Sequence, residues 1–338
     1  MIIHRRSVLF SGLAASALAA CSKGDGARSA AAPATPAPPP GAVKIRFATD
    51  WKAEAEHGGF YQALATGEYA KRGLDVTLIP GGPGTSVPSL LAAGAIDMGI
   101  GSNSFGVMNL AAQHVPVKAV MATMQKDPQV LIAHPDAGIR SIADMKGRPM
   151  LIGDEAVTSF WLWLEAKYGF TDDMVRKYTF NAGPFIANRS AVQEGYVSSE
   201  PYTIEKTAGF RPEVFLLADN GYPGYAGMVL ATDALITARP AAVKGFVEAT
   251  RAGWTAYLHG DPAPADALIL KDNPDMKPDV LAQARGKFRD YALFEQPGVP
   301  IGTMTDAKWK IFFDTASGLG VYPRTLNWKD AYTLAFLN

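Results

Sequence analysis

The chain has 338 residues, 32 basic against 32 acidic side chains, and 48% hydrophobic content. That balance leaves no basic stripe for nucleic acid, and the apolar content is enough for a large core. Cys21 is the only cysteine, which excludes internal disulfides and thiolate chemistry elsewhere, so stability must come from packing.

Residues 1–6 end in Arg5-Arg6, residues 7–20 are apolar and small, and Leu18-Ala-Ala-Cys21 follows. As a helix the apolar run would reach about 21 Å, short of the ~30 Å bilayer core, so it reads as an export signal and not a membrane span. Leu-Ala-Ala-Cys looks like a lipobox, with cleavage before Cys21 and lipid on its thiol. Arg5-Arg6-Ser-Val-Leu resembles part of a twin-arginine signal. Residues 22–42, with Pro33, Pro36 and Pro38-Pro39-Pro40, are expected to be a disordered Ala/Pro-rich tether reaching at most about 70 Å. From residue 43 on there is no repeat, heptad run or membrane span, and the length suits two domains.

Residues 44–49 alternate as a β-strand, and residues 60–72 read as a helix. Between them lies Asp50-Trp-Lys-Ala-Glu-Ala-Glu-His-Gly-Gly-Phe-Tyr61, the stretch where a ligand is expected. It supplies Trp51, Glu54, Glu56, His57 and Tyr61, and Gly58-Gly59 would let the backbone approach a ligand and open a helix. The pocket reading is favoured for Trp51 and His57 over a core aromatic, while each glutamate could equally belong to a solvated turn. A strand over 74–80, a helix from about Ser86, a strand over 96–101, a helix over 105–113 and a strand over 117–122 complete an alternating unit, hence a parallel sheet flanked by helices. Gly81-Gly-Pro-Gly-Thr-Ser86 lacks the Gly-Lys-Ser/Thr ending of a nucleotide P-loop. It and Gly99-Ile-Gly-Ser-Asn-Ser104, with Ser102 and Asn103, fall at strand ends, where open α/β sheets bind ligands.

A second unit begins near Ser141: a short helix (141–146), a strand (150–153), a helix (157–167), strands over 178–181 and 195–198, and a strand over 214–218. Thr158 would sit at a helix start, as an anion contact or simply a cap. Glu200, beside Pro201 and Tyr202, is either a pocket acid or a first-turn helix acid stabilised by the dipole. Asp219-Asn-Gly-Tyr-Pro-Gly-Tyr-Ala-Gly227 suits a bending crossover whose Tyr222 and Tyr225 could reach a cleft. Beyond the strand 228–232 the chain is read as helical over 239–259, 264–271, 278–291, 306–318 and 328–336.

Several of these motifs occur together in one family. With strand–Trp–x5–His-Gly-Gly, the Gly73-Leu-Asp-Val76 strand, Leu90-Leu-Ala-Ala-Gly-x-Ile-Asp97, Ser141-Ile-Ala-Asp-Met-Lys-Gly147 and Ser199-Glu-Pro-Tyr202, the chain resembles the solute-binding proteins of ABC importers for nitrate, sulfonates, taurine and thiamine-pyrimidine precursors. The resemblance covers nearly all of residues 43–338. It implies the two-lobe periplasmic binding protein type 2 fold, each lobe a mostly parallel sheet flanked by helices, with the ligand cleft between them. The first lobe would span about 43–135 plus part of the C-terminal helices, the second about 140–218, with a crossing segment near 219–227. By position, Trp51 and His57 match pocket-lining positions of the first lobe, and Glu200 a polar contact of the second.

The same fold hosts thiamine-pyrimidine synthase. Aligning that enzyme's Asp-Met-Gly strand with Asp97-Met-Gly99 puts Gly101 at its lysine position and Phe105 at its histidine position, and its cysteine-rich motif has no counterpart. No Gly-x-Ser-x-Gly elbow occurs, and His57, His114, His134 and His259 are widely spaced. The expectation is a lipid-anchored, monomeric binding protein on the periplasmic face of a bacterial membrane. It would have no catalytic residue, metal or cofactor, and would deliver a small solute to a permease. Aromatics with carboxylates favour a flat nitrogenous ring such as a thiamine-pyrimidine precursor; a synthase-like enzyme and a nitrate-, sulfonate- or taurine-type binder are the alternatives.

Overall fold

The structure is a computed structural model and describes residues 35–337; the expected export signal, Cys21 and the tether up to residue 34 lie outside them. Strand β1 (Val43–Ala48) is β-branched and aromatic, and its Ile45 and Phe47 are fully in the core. A 3₁₀ turn (Ala55–His57) leads into α1 (Gly58–Ala65). Gly67, at φ +73°, breaks the run before α2 (Glu68–Lys71), so the single helix expected over 60–72 is two. Then follow β2 (Leu74–Ile79), α3 (Val87–Ala92), β3 (Met98–Asn103), α4 (Ser104–Ala112) and β4 (Val117–Met124).

The chain leaves this sheet after Met124. β5 (Gln129–Ala133), left unassigned in the sequence and inside the expected first lobe, pairs in the second sheet instead. It is followed by β6 (Met150–Ile152), α5 (Phe160–Tyr168), β7 (Val175–Lys177), α6 (Gly183–Ala187), β8 (Val192–Tyr196), α7 (Glu200–Ala208) and β9 (Glu213–Leu216). Two strands are shifted from expectation: 175–177 replaces 178–181, and 192–196 replaces 195–198. The chain then returns as β10 (Ala226–Thr232), followed by α8 (Asp233–Ala238), α9 (Pro240–His259), α10 (Ala263–Asp272), α11 (Pro278–Asp290) and α12 (Asp306–Gly318). The helix expected over 328–336 is only a 3₁₀ turn, Trp328–Ala331, because Tyr332 pairs with Ala119 and stacks on Trp309 at 4.8 Å.

The two five-stranded sheets have the orders β2-β1-β3-β10-β4 and β7-β6-β8-β5-β9. In each, four strands run one way and one, β10 or β5, runs against its neighbours. Each reversed strand is the one entered directly from the other sheet. The carboxyl ends of β1, β3, β6 and β8 therefore carry the loops available for a ligand.

Two segments join the halves, residues 125–128 and 217–225, and the C-terminal region grips both. Gln125 and Lys126 donate backbone N–H groups to the Leu293 carbonyl at 2.7 and 3.0 Å. The Tyr225 hydroxyl accepts from the Thr305 N–H at 3.0 Å, and the Lys308 ammonium lies 4.1 Å above the Tyr225 ring.

Gly58 and Gly59 have a role the sequence did not reveal. A Cβ at Gly58 would fall 2.1 Å from the Tyr257 ring, and one at Gly59 2.1 Å from Trp254. The pair lets α9 approach α1; it does not open the backbone to a ligand. Gly59→Ala should therefore destabilise the fold by about 1–3 kcal/mol through overpacking. Urea unfolding with an unchanged midpoint would show that this close approach is wrong.

Candidate ligand-binding site

The loop after β1 is fixed at its root: the Thr49 hydroxyl donates to the Trp51 carbonyl at 2.7 Å and accepts from the Gly81 N–H at 3.1 Å. Asp50 then receives the Ser102 hydroxyl at 2.7 Å and lies 3.3 Å from His57 Nε2, tying the ends of β1 and β3 together. Glu54 is the residue before the 3₁₀ turn, and its side chain makes no capping bond. Glu56, on that turn, is 6% exposed and accepts from the Ser198 hydroxyl of the other half. The Ser198 carbonyl accepts in turn from Gln283 on α11. Ser198 thus holds two elements of the first half at once.

The second half adds its own acids. Glu200 opens α7, and its Oε2 accepts the Tyr196 N–H at 2.8 Å. Glu200 is a first-turn acid of α7, and its charge is felt by Glu54 and it feels that of Glu56. Glu194 on β8 accepts the Gly153 N–H at 2.8 Å. Glycine is required beside both carboxylates: a Cβ at Gly195 would lie 2.8 Å from Glu200, and one at Gly153 2.7 Å from Glu194 Oε1.

These carboxyls perturb one another. Glu54 is held well above the usual carboxylate range by burial and by the charges of Glu56, Glu200 and Asp50. Burial also raises Glu56, opposed by the Ser198 bond and by His57. Burial lifts Glu194 to about 8 and Glu200 to about 7. Glu155, at the rim after β6, is raised by partial desolvation and by Asp50. No lysine or arginine pairs with any of these groups among the described residues, and none of their carboxyl clusters is placed to hold a metal.

Two aromatics meet across the cleft. The ring centroids of Trp51 and Phe180 are 4.2 Å apart at 50°, and Tyr178 lies 5.1 Å behind Phe180. Phe180 is 47% exposed at φ +59°, a backbone conformation that costs about 1–3 kcal/mol for a side chain of this kind. Strain of that size at an exposed ring marks a position held for contact.

Of the residues expected at the site, the structure brings together Trp51, Glu54, His57, Ser102 and Glu200. Others lie elsewhere. The Tyr61 hydroxyl donates to Asp272 on α10 at 3.0 Å, joining two helices. Tyr222 is buried, stacked on Phe105 at 5.4 Å, and Tyr225 is consumed by the Thr305 and Lys308 contacts. Tyr202 donates to Asp279 at 2.7 Å, linking α7 to α11. The Asn103 side-chain oxygen caps α4, and Thr158 is exposed, its hydroxyl on the Glu155 carbonyl. Glu194, Ser198 and Phe180 were missed. Glu194, an acid inside the strand Val192–Tyr196, was the one available signal.

Comparison with known proteins follows this geometry. Residues 54–265, well over half of the chain, match the family described as NMT1/THI5 like. The chain belongs to that family. It is 26% identical over 293 residues to the riboflavin-binding protein RibY of Chloroflexus aurantiacus, covering 82% of this chain and 81% of that protein. It is 23% identical over 271 residues to the 4-amino-5-hydroxymethyl-2-methylpyrimidine phosphate synthase of Aspergillus parasiticus, covering 75% and 77%. Among solved structures, the alkanesulfonate-binding protein SsuA of Xanthomonas axonopodis pv. citri, bound to MOPS, aligns with TM-score 0.64 at 15% identity over 88% of this chain and 99% of that one. The architecture is that of the periplasmic binding proteins.

The raised carboxyls have a consequence for stability. Their folded pKa values exceed the unfolded ones, so between about pH 5 and pH 8 the native state binds more protons and stability falls as pH rises. Glu194→Gln keeps the acceptor for Gly153 and removes the charge, so it should exceed the parent by about 1 kcal/mol or more near pH 8 and match it near pH 5. Urea midpoints across that range are the check. A parent protein that gains stability from pH 5 to 8 would contradict the assignment.

Proposed function

We propose that the chain is the lipid-anchored solute-binding component of an ABC importer. It captures a small heteroaromatic solute, such as a thiamine-pyrimidine precursor, at the periplasmic face of a bacterial membrane and hands it to an inner-membrane permease as a monomer. The observation that carries the reading is the cleft itself: an aromatic pair, Trp51 and Phe180, beside unpaired carboxyls contributed by both halves. Such a site takes a flat ring on its π-faces and hydrogen-bond donors on its edge.

Family members and relatives frame the alternatives. The relation to RibY favours riboflavin as a second reading, since it too is a flat nitrogenous ring. A sulfonate or nitrate would have to enter a cleft whose carboxyls have no arginine or lysine beside them to receive it. Against the synthase, Phe105, at the position matched to that enzyme's histidine, is a fully buried core ring against Tyr222. No helix among the described residues is long and apolar enough to cross a membrane.

Mass spectrometry of the solute released from purified, unfolded protein tests the reading. Recovery of a sulfonate, or of no small molecule from protein that binds none, would defeat it. Two substitutions should then fail differently. Trp51→Leu removes a stack worth about 0.5–1.5 kcal/mol beyond area and weakens all flat ligands alike. Glu200→Gln costs roughly 1.5–3 kcal/mol, about one to two decades in Kd, only for ligands that donate to it. Titration with an aminopyrimidine and its des-amino analogue reads the difference; equal losses would make Glu200 structural. For the anchor, Cys21→Ser should move the mature protein out of the detergent phase on partition.

A further inference from the structure

We infer that the solute is bound as a cation, seated among the carboxyls that Glu54 and Glu56 from one half and Glu200 from the other bring together beside the buried, unpartnered Nδ1 of His57. This rests on the proposed function and narrows it to one charge class.

The groups facing the cluster come from every element around it. Asp50, Glu54, Glu56 and His57 lie on the loop and turn after β1, Glu155 after β6, Glu194 on β8 and Glu200 on α7. Tyr178, Tyr196 and Tyr257 complete the surroundings, and burial, helped by the nearby carboxylates, holds all three hydroxyls in their neutral form. The Arg285 guanidinium, beside Tyr257, is committed to Asp266 at 2.7 and 2.9 Å and to the Tyr257 hydroxyl at 3.0 Å. At the rim, Lys52 is held by Asp275 at 3.0 Å and Lys177 by Asp154 at 2.8 Å. His57 is the one basic side chain inside. It is 3% exposed and its Nδ1 is buried without a partner, while its Nε2 turns to Asp50.

Carboxyls sharing a dry site cannot all ionise, so the protein keeps several protonated when nothing positive faces them. A cation between Glu54, Glu56 and Glu200 reverses that condition, since an opposite charge within a few ångströms favours the ionised form. Protons then leave as the ligand enters. The rings of Trp51 and Phe180 suit the same ligand, because a delocalised cation is attracted to an aromatic face. The unpartnered His57 nitrogen adds a directional contact that a simple screening ion would not use.

Isothermal titration calorimetry in phosphate and in Tris, which differ in ionisation enthalpy, reads both affinity and protons exchanged. The probes are 4-amino-1-methylpyridinium, a fixed cation, its neutral flat counterpart 4-methylaniline, and riboflavin. The cation should bind at least about tenfold tighter than 4-methylaniline, the scale of one charge-assisted bond. Its binding should release protons, and its affinity should rise from pH 5 to pH 8. Glu54→Gln should weaken the cation at least about tenfold more than 4-methylaniline, a difference that loss of fold could not produce. Equal binding of the two isosteres, or riboflavin binding tightest with no proton release, would overturn the charge assignment and leave the binding-protein reading standing. Failure of every ring to bind, with no organic solute recovered from the purified protein, would remove both.

Discussion

Like charge confined between two halves of the molecule governs this structure. Glu54 and Glu56 from the first half and Glu200 from the second lie close enough to shift one another, and burial strengthens the effect. Around them the backbone is shaped to admit carboxylates. Gly153 and Gly195 clear the space, and backbone N–H groups of Gly153 and Tyr196 hold the acids in place.

The fold makes such a site possible by bringing strand ends from separate sheets to one place. Bonds across the cleft include Ser198 between Glu56 and Gln283, Tyr202 to Asp279, and the Asn109 amide to the Thr158 carbonyl at 3.0 Å, beside the Trp51–Phe180 contact. The segments that join the halves are treated differently. They are tied to residues 293–308 by backbone bonds and by Lys308, whose ammonium is pulled down to about 8 by burial. Asp127, in the first segment, is buried and raised to about 7, with its Oδ1 on the Gln129 N–H. Joints anchored in this way are where we propose that the two halves hinge.

Much of the first sheet was legible in the sequence because period-2 runs such as 43–48 and 74–79 bury alternate residues. β5 escaped notice because Gln129–Ala133 is buried on both faces and so shows no alternation. Trp51, Glu54, His57 and Glu200 could be named from their positions at strand ends. The tyrosines misled, because a Gly/Pro/Tyr segment signals a bend but not which way its rings turn; Tyr222 and Tyr225 turn into the core. Phe180 left no trace in the sequence, since its role comes from a backbone conformation that only the folded chain imposes.

Carbon-13 NMR of protein labelled at the glutamate side-chain carboxyl tests the central claim most directly, with the protein stripped of solute and titrated from pH 4 to 9. The account predicts that the resonances of Glu200 and Glu194 change near pH 7 and pH 8, assigned through the Glu200→Gln and Glu194→Gln variants. Glutamates that all titrate near the ordinary value of about 4.3 would contradict it, and the cleft would then be an exposed acidic surface.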